Sequence, residues 1–341
     1  MSELVAAPVF VVGTPRSGTT LTARVLGNHP LLFMPGETHF FDDLYARREQ
    51  LGLPFEPQGA KRIAERLMTL YGRYNEPADQ ARIEALIDAV TLAGQIREHC
   101  RDYGQVLRLF MELQMQATLR AIWGNNAPRD IFNIREISAF YPDARIVVCV
   151  RDPRDFLGSY KGKWRATAQA EVDRLRRLYH PVVTSLLWKA SMKQLSTIER
   201  VFSPDQVLVL PYEKLVVVPE DCAVALCRHV GVEYDPRMLE VEFSNSSDLE
   251  GAAGRIFSTS VGSWRKRISD NEAWIAERLC APEMCRLGYP REAANVSYLR
   301  ILGQLLTVPY ALWRGLQANK DKRGPLLPYL FRRLSAVIGK G

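Results

Sequence analysis

VFVVGTPRSGTT, residues 9–20, combines an apolar run, two glycines and the start of an amphipathic segment. Residues 9–12 are apolar and mostly β-branched, which predicts a strand buried on both faces, as in a parallel sheet. Gly13 ends this run and Gly18 follows five residues later, which is the spacing of a phosphate-binding loop. Residues 19–26 predict a helix whose N-terminus would direct backbone N–H groups at an anion.

The loop differs from that of nucleoside triphosphatases because it lacks their lysine. Thr19 and Thr20 stand where a lysine followed by serine or threonine would bind the β/γ-phosphates and magnesium. Arg16 lies inside the loop, and its planar guanidinium can bind an oxyanion. The hydroxyls of Ser17, Thr19 and Thr20 can donate to oxygens of the same ligand. The loop predicts an anionic ligand without identifying it, and a lysine-less P-loop kinase is one interpretation.

The remainder of the chain alternates between predicted strands and helices. Further strands are expected within residues 31–36, 144–153 and 206–215, where short apolar runs end at turn signals. Residues 44–123 carry apolar residues at helical spacing and contain no convincing strand, so they are predicted to be a helical insertion. Helices are also predicted over residues 168–180, 182–201 and 220–231. This alternation predicts an α/β fold with a central parallel sheet flanked by helices.

The composition is that of a globular chain rather than a disulfide-rich or fibrous one. Of the 341 residues, 47% are hydrophobic and 24% are charged, which allows one large domain or two smaller ones. The net charge of +7 suits an anionic ligand but is too diffuse to indicate nucleic acid, and no nucleic-acid partner is predicted. Six cysteines form no CxxC pair and no cluster with histidine, which favours reduced thiols and no metal site. Because the first residues show no signal peptide, a cytoplasmic location is expected.

A second anionic site is predicted at VRDPRDFLGSYKGKW, residues 150–164. It follows a predicted buried strand, and ligands of open α/β sheets bind at the carboxyl ends of the strands. Its basic and hydroxyl side chains include Arg151, Arg154, Ser159, Lys161 and Lys163. Two such sites at two strand ends imply a ligand with two separated anionic groups.

Two stretches, TPRSGTTL (14–21) and VRDPRDFLGSY (150–160), resemble the nucleotide-binding motifs of sulfotransferases that use 3′-phosphoadenosine 5′-phosphosulfate (PAPS). Other stretches that resemble the family's motifs are WGNNAP (123–128), LPYEKLV (210–216), SVGSWRKRI (260–268) and LGYP (287–290). In style they are most similar to bacterial and to tyrosylprotein or carbohydrate sulfotransferases. The resemblance implies a P-loop-like sulfotransferase domain over residues 1–290, in which the insertion at 44–123 covers the acceptor cleft.

The same resemblance assigns a role to each residue of the first loop. Arg16 would lie at the sulfuryl group, and the 5′-phosphate would bind to Ser17, Gly18, Thr19 and Thr20. PAPS would act as co-substrate without a metal ion.

The 3′-phosphate and the nucleotide are assigned by resemblance to a second group of residues, Arg151, Ser159, Tyr212, Gly262, Trp264, Arg265 and Lys266. Arg151 and Ser159 would bind the 3′-phosphate, and Arg265 would close over it. For Trp264, a place in the protein core is an equal alternative to packing on the nucleotide.

A general base is expected in PGETHFFDDL, residues 35–44, because an acceptor hydroxyl must lose its proton as the new bond forms. Glu37 matches, by position, the glutamate that serves as base in the tyrosylprotein and related carbohydrate sulfotransferases. His39 is the second candidate base, and a structural role for it is the alternative.

One departure from the family concerns Asn126, which stands where many relatives have a lysine thought to stabilise charge on the leaving oxygen. Asn126 can donate a hydrogen bond but carries no charge, and charge-assisted bonds are roughly twice as strong as neutral ones. Arg16 alone, Lys161 or Arg129 would have to supply the charge. The alternative function is a sulfotransferase-like nucleotide-binding protein with little or no catalysis.

The C-terminal segment, residues 291–341, lies outside the resemblance and is apolar, aromatic and basic. Its apolar stretch is interrupted by Pro309, so it is not expected to span a bilayer. It is expected to be helical and either to pack on the core or another subunit, or to contact the inner face of a membrane peripherally.

The acceptor is expected to be a hydroxyl of a small molecule, glycan or lipid.

Overall fold

The described part of the chain forms a sheet of five strands, and the central strand pairs in parallel with both of its neighbours. The structure is a computed structural model and describes residues 7–74, 77–116, 118, 120–162, 178–241, 256, 258–293 and 295–318. The strands are β1 (Val9–Gly13), β2 (Leu32–Phe33), β3 (Ile122–Asn126), β4 (Arg145–Val150) and β5 (Val207–Pro211). Their order is β2-β3-β1-β4-β5, and β1 pairs in parallel with β3 and β4, as β2 does with β3. The predicted α/β fold with a central parallel sheet is confirmed.

Strand β1 is the central strand because it is apolar throughout and has a partner on each side. All five of its residues are buried, as a strand covered on both faces requires. Its register with β4 runs from Val9 opposite Arg145 to Gly13 opposite Cys149. The carboxyl ends of these parallel strands therefore meet at one edge of the sheet, where ligands of such folds bind.

Helices connect the strands. Along the described chain they are α1 (Thr19–Gly27), α2 (Arg48–Leu51), α3 (Pro57–Tyr74), α4 (Pro77–Leu86), α5 (Ala89–His99), α6 (Tyr103–Gln116), α7 (Ile134–Phe140), α8 (Pro153–Gly162), α9 (Pro181–Lys193), α10 (Leu195–Val201), α11 (Tyr212–Val217), α12 (Pro219–Val230), α13 (Trp264–Arg267), α14 (Asp270–Leu279), α15 (Ala281–Leu287), α16 (Tyr298–Leu306) and α17 (Val308–Ala318). A π-helical turn covers Phe40–Leu44. The helices predicted at 19–26 and 220–231 are present. Of the helix predicted over 168–180, residues 168–177 lie outside the described part of the chain and residues 179–180 are not helical. The segment predicted as one helix over 182–201 forms α9 and α10.

The predicted helical stretch at 44–123 is helical as far as Gln116, but its last residues are not. Strand β3 begins at Ile122, so the expectation of no strand within residues 44–123 is wrong. The sequence of β3 is IWGNN, and glycine and asparagine are depleted in strands, which hides the strand from propensity. Tertiary packing overrides that preference, because a Cβ on Gly124 would lie 2.8 Å from the carbonyl oxygen of Val9 in β1.

The chain divides into two compact units. Unit 1 comprises Met1–Cys149, Ser196–Leu210 and Val218–Val241. Its core includes an aromatic cluster in which the ring of Phe10 lies 5.9 Å from Trp123 and 5.4 Å from Tyr141. The domain boundary predicted at residue 290 stays a prediction.

Unit 2 comprises Val150–Leu195, Pro211–Val217 and Glu242–Gly341. Its helices α9, α14 and α16 share a core cluster of Val182, Ile275 and Ile301. Because α16 contributes Ile301, this part of the C-terminal segment packs on the core of its unit. Packing on the core was one of the two alternatives expected for this segment. Among the described residues, no helix is both long and apolar enough to cross a membrane.

Candidate active site

The phosphate loop, residues 13–18, follows β1 in unit 1 and depends on the close approach of two backbones. Gly13 has a φ of 155° and pairs with Cys149 of β4. A Cβ on Gly13 would lie 2.4 Å from the carbonyl oxygen of Cys149. Only glycine therefore lets the chain turn at this point without separating the strands.

The loop ends at the N-terminus of α1, which has the properties of an anion site. Gly18, at the N-cap of α1, has a φ of 92°, and no side chain caps the helix. The first turn of α1 carries no acidic residue, so its N–H groups face no competing carboxylate from their own helix. The hydroxyl of Thr14, within the loop, is buried without a hydrogen-bond partner among the described residues. These donors suit the oxygens of a phosphate or sulfate group.

The side chains of the loop fall into different environments. Ser17 is fully buried, and its hydroxyl donates to the Thr14 carbonyl over 2.6 Å, which closes the loop. Arg16 has a φ of 74°, an uncommon conformation for a residue with a side chain. Such strained positions cluster at functional sites. Thr19 is buried and Thr20 is exposed at the start of α1.

A second group follows β2 in the same unit. In this Glu37 cluster, defined as Glu37, His39 and Asp42, Nε2 of His39 lies 3.1 Å from a Glu37 oxygen. Nδ1 of His39 lies 3.1 Å from an Asp42 oxygen. His39 has a φ of 50° and immediately precedes the π-helical turn, a rare element that is frequent at functional sites. The two predicted base candidates are therefore direct neighbours.

The electrostatics of the cluster separate these two candidates. Burial alone would lower the pKa of His39, but hydrogen bonds from its ring to Asp42 and Glu37, and their charges, raise that pKa to about 9. His39 is therefore an imidazolium at neutral pH and has no lone pair to accept a proton. The geometry favours Glu37 as the base and gives His39 the role of holding the carboxylate.

A chain of buried polar groups connects this segment to β3. The Thr38 hydroxyl donates to Oδ1 of Asn125 over 2.8 Å, and Nδ2 of Asn125 donates to Asp130 over 2.7 Å. Asp130 is fully buried. Burial and the nearby charge of Asp42 raise the pKa of Asp130 well above its usual range, although His39 opposes them. Its surroundings therefore favour the protonated form of Asp130.

Sequence reasoning missed Thr38, Asp42, Asn125 and Asp130. The two consecutive asparagines at the end of β3 are a signal that could have been used, because buried amides require partners. The partners of Asn125 lie 87 positions away in Thr38 and five positions away in Asp130, so spacing alone does not identify them.

Three cations were predicted to replace the family lysine, and the structure gives Lys161 and Arg129 different partners. Asn126 is buried, and its Oδ1 has no hydrogen-bond partner among the described residues. Arg129 extends to within 3.8 Å of Asp42 and therefore lies beside the Glu37 cluster. In unit 2, Lys161 forms an ion pair with Glu272 over 2.8 Å. Lys161 is therefore committed to a structural partner.

In unit 2, the structure brings Arg151 and Tyr212 together, as the predicted nucleotide site requires. The Arg151 guanidinium lies 4.3 Å from the centre of the Tyr212 ring and donates to the carbonyl of Ser260 over 3.2 Å. The Tyr212 hydroxyl is 2.6 Å from the Ser260 hydroxyl. Trp188 donates to the backbone carbonyl of Arg151 over 2.9 Å. Ser159 is buried on α8, eight positions after Arg151.

The late loop of unit 2 is held by Asp155, a residue that sequence reasoning did not single out. Its carboxylate accepts from the backbone N–H groups of Gly262 and Trp264 over 2.7 and 2.8 Å. Burial raises the pKa of Asp155 despite the charge of Arg151. The Gly262 amide is therefore used to position the loop.

Trp264 is surrounded by guanidinium groups rather than exposed. It is buried, and the guanidiniums of Arg154 and Arg265 lie 4.5 and 4.6 Å from its ring centre. Arg154 also bonds to Glu277 over 2.8 Å, and Arg265 forms an ion pair with Glu292. These contacts favour the core alternative for Trp264. Within the described part of the chain, no group of three or more His, Cys, Asp or Glu side chains could hold a metal ion.

Comparisons with known proteins give the family of the chain. The model of a family described as "Sulfotransferase family" matches residues 8–236. Protein-tyrosine sulfotransferase 1 of Danio rerio is 21% identical over 311 residues, which are 86% of this chain and 75% of that protein. An uncharacterized protein of Aquifex aeolicus (strain VF5) is 54% identical over 33 residues, which are 10% of this chain and 4% of that protein.

Among solved structures, the sulfotransferase domain from the curacin biosynthetic pathway superposes with a TM-score of 0.55 at 17% identity. The superposition covers 85% of this chain and 100% of that domain. At this identity the similarity establishes the fold alone.

Proposed function

Because the chain belongs to the sulfotransferase family, we propose that it transfers a sulfuryl group from PAPS to an acceptor hydroxyl and releases adenosine 3′,5′-bisphosphate. The observation that carries this proposal is the phosphate loop. Its two glycines are required by the contact with Cys149 and by the positive φ at the N-cap of α1. The uncapped helix and the buried Thr14 hydroxyl supply donors for a phosphosulfate group.

The residues of unit 1 divide the chemical work between them. The N–H groups at the start of α1 would hold the 5′-phosphosulfate, with Arg16 at the sulfuryl group. The acceptor oxygen would form a bond to sulfur, the bond between sulfur and the bridging phosphate oxygen would break, and the hydroxyl proton would pass to Glu37. Catalysis would consist mainly of positioning and charge stabilisation, as in phosphoryl transfer.

The Glu37 cluster supports the assignment of Glu37 as the base. His39 bonds to Glu37 on one side and to Asp42 on the other, so the orientation of the Glu37 carboxylate is fixed before an acceptor arrives. The positive charge of His39 also limits the repulsion between Glu37 and the anionic donor. Arg129, which lies beside Asp42 in the same unit, is a candidate to replace the charge of the family lysine.

In unit 2, Arg151 and Ser159 are the residues proposed for the 3′-phosphate. Ser159→Ala is the smaller change, since the Arg151 guanidinium also bonds to the Ser260 carbonyl and packs on Tyr212. We expect Ser159→Ala to weaken the binding of adenosine 3′,5′-bisphosphate. It should hardly affect the binding of adenosine 5′-phosphosulfate, which has no 3′-phosphate. A hydrogen bond to a charged group contributes about 1.5–3 kcal/mol, and it exists only if that phosphate is present. Equal losses for both ligands would contradict the assignment.

A second candidate function, nucleotide binding with little or no catalysis, is favoured by Asn126. This side chain is buried and neutral where many relatives have a charged one. A wild-type protein that binds the bisphosphate but turns over no acceptor would support this function. Asn126→Lys is then the variant expected to restore activity.

The deciding experiment combines a binding assay with an acceptor screen. Adenosine 3′,5′-bisphosphate should bind by calorimetry in the presence of EDTA. Phenols, sugars, lipids and tyrosyl peptides are then incubated with PAPS, and products are detected by the mass shift of one sulfuryl group. Binding that requires magnesium and a nucleoside triphosphate would instead support the kinase interpretation.

A further inference from the structure

The last two described helices of unit 2 expose an unusual amount of apolar surface. The side chains that form this C-terminal apolar surface are Tyr298, Leu299, Leu302, Leu305, Leu306, Tyr310, Leu312 and Trp313. Leu299 is 83% exposed and Leu306 is 73% exposed. Single exposed apolar residues are normal, but a concentration of them on two consecutive, contacting helices marks an interaction site.

This exposed surface does not hold the helices in place. Ile301 of α16 is buried against Val182 and Ile275, and Ala311 of α17 is also buried. Leu299, Leu302 and Leu306 follow the helical spacing of three and four residues, so they share one side of α16. The helices therefore have one side that packs on the unit and another that is apolar and exposed.

The polar residues of this region do not suit a side that faces water. From residue 296 to residue 318 the sequence has no aspartate or glutamate, and its only charged residues are Arg300 and Arg314. A helix that faces water normally carries charged residues of both signs on that side. The rings of Tyr310 and Trp313 lie 5.9 Å apart, and the Arg314 guanidinium lies 5.5 Å from the Tyr310 ring. Tyrosine, tryptophan and arginine are the residues that stabilise proteins at the bilayer–water interface.

The sequence that follows adds positive charge. Residues 319–341 contain Lys320, Lys322, Arg323, Arg332, Arg333 and Lys340, against the single acidic residue Asp321. Clusters of basic residues next to an amphipathic segment bind anionic lipids. Apolar exposure, interfacial aromatics and a basic sequence all fit the same partner.

We propose that α16 and α17 dock the protein on an anionic lipid bilayer, where they lie in the interface without crossing it. The apolar side chains would enter the boundary between headgroups and acyl chains, and the basic residues would bind the anionic headgroups. This interaction is independent of the sulfuryl transfer proposed above, because none of its residues belongs to the phosphate loop, the Glu37 cluster or the Arg151 group.

The test is flotation of the full-length protein with vesicles of phosphatidylcholine, with and without phosphatidylserine. We expect flotation with the phosphatidylserine vesicles and a decrease as salt increases, because screening weakens the basic contribution. Replacing both Leu299 and Leu306 by Glu should lower the partition coefficient by about tenfold or more. The matched control is Val90→Glu on α5, since Val90 is also 83% exposed, and it should float like the wild type.

A second variant tests the charge. Replacing Lys320, Lys322 and Arg323 by Glu in the full chain should reduce binding to phosphatidylserine vesicles by about fivefold per residue. Circular dichroism checks that each variant is folded. If the variant with Leu299 and Leu306 replaced by Glu is not folded, Leu299→Gln with Leu306→Gln takes its place.

Three outcomes would overturn the proposal. The first is that the wild type does not float with either vesicle. The second is that Val90→Glu and the leucine variant lose binding equally. The third is a dimer in analytical ultracentrifugation that Leu299→Glu dissociates, without vesicle binding, since a second copy of the chain would then cover the surface.

Discussion

The phosphate loop and the Glu37 cluster belong to the same unit and follow parallel strands, yet they are built by different means. The loop is shaped by backbone, with Gly13 against the Cys149 carbonyl and an uncapped helix after Gly18. The Glu37 cluster is shaped by side chains, with His39 between two carboxylates and a buried polar chain that ends at Asp130. The loop binds through backbone dipoles whose positions are fixed. In the cluster, by contrast, the pKa of His39 depends on its two carboxylate neighbours.

This difference matters for the two roles that a transferase needs. Backbone dipoles have the same charge distribution at every pH and suit the binding of an anion that stays anionic. A base must accept a proton during the reaction, so the base itself has to be a titratable group. We therefore expect changes in the loop to affect nucleotide affinity and fold, and changes in the cluster to affect turnover and pH dependence.

The largest expected effect is that of Glu37→Gln on turnover. The substitution keeps the size of the side chain and removes its ability to accept the acceptor proton. We expect turnover to fall by about 100-fold or more, with the affinity for adenosine 3′,5′-bisphosphate nearly unchanged. Steady-state rates and calorimetry measure the two quantities.

His39→Asn is the companion variant for this prediction and should reduce turnover far less, because the imidazolium positions the base without accepting the proton. If Glu37→Gln stays active while His39→Asn is inactive, the assignment of the base is wrong. Both variants should be assayed with an aliphatic alcohol, since an acidic phenol needs less help from a base.

The next effect is that of Gly13→Ala on the loop. The added Cβ would lie 2.4 Å from the Cys149 carbonyl oxygen and would force β1 and β4 apart. Overpacking of this kind costs about 1–3 kcal/mol, and the displaced loop should also bind the bisphosphate more weakly. Gly94→Ala on α5 is the control, because its Cβ would meet no atom within 4 Å and alanine favours a helix. Equal unfolding temperatures for the two variants would contradict the close approach.

The same contrast explains which parts of the molecule could be predicted from the sequence. The loop is local and its glycine spacing carries the signal, so strand, turn and helix were all predicted correctly. Strand β3 was missed because three of its five residues, Gly124, Asn125 and Asn126, are of types depleted in strands, and because Gly124 packs closely against Val9 and Met34. Asp130 was missed for a related reason. It follows Glu37 by 93 positions in the sequence, and only the fold brings the two carboxyl groups close enough to interact.

The third prediction concerns the pH dependence of stability, which arises in the cluster and not in the loop. The pKa of His39 is raised to about 9 from an ordinary value of 6.5, after burial is outweighed by Asp42 and Glu37. Its contribution to stability is therefore fully present below pH 6.5 and is lost as pH rises through 9. Between pH 7 and 8, the free energy of unfolding should fall by about 1 kcal/mol more in the wild type than in His39→Asn.

Urea unfolding at a series of pH values measures this difference. The exposed His99 supplies a control, because His99→Asn should leave the slope between pH 7 and 8 as it is in the wild type. Parallel slopes for the wild type and His39→Asn would show that His39 is not held as an imidazolium.

The smallest effect distinguishes Asp130, which lies outside the Glu37 cluster, from Asp42, which belongs to it. Asp130 is buried and its pKa is raised, so the folded chain binds a proton at Asp130 more tightly than the unfolded chain does. By linkage, this raised pKa favours folding at low pH and opposes it as pH increases. Asp130→Asn keeps an oxygen that can accept from Asn125 and removes the need for the proton. We therefore expect the stability of Asp130→Asn relative to the wild type to increase from pH 6 to pH 8. Asp42→Asn should do the opposite and destabilise the fold, because it removes one of the two carboxylates bonded to the His39 imidazolium. If both amide variants destabilise the protein equally at both pH values, the pKa of Asp130 is not raised in the folded protein and this prediction is wrong.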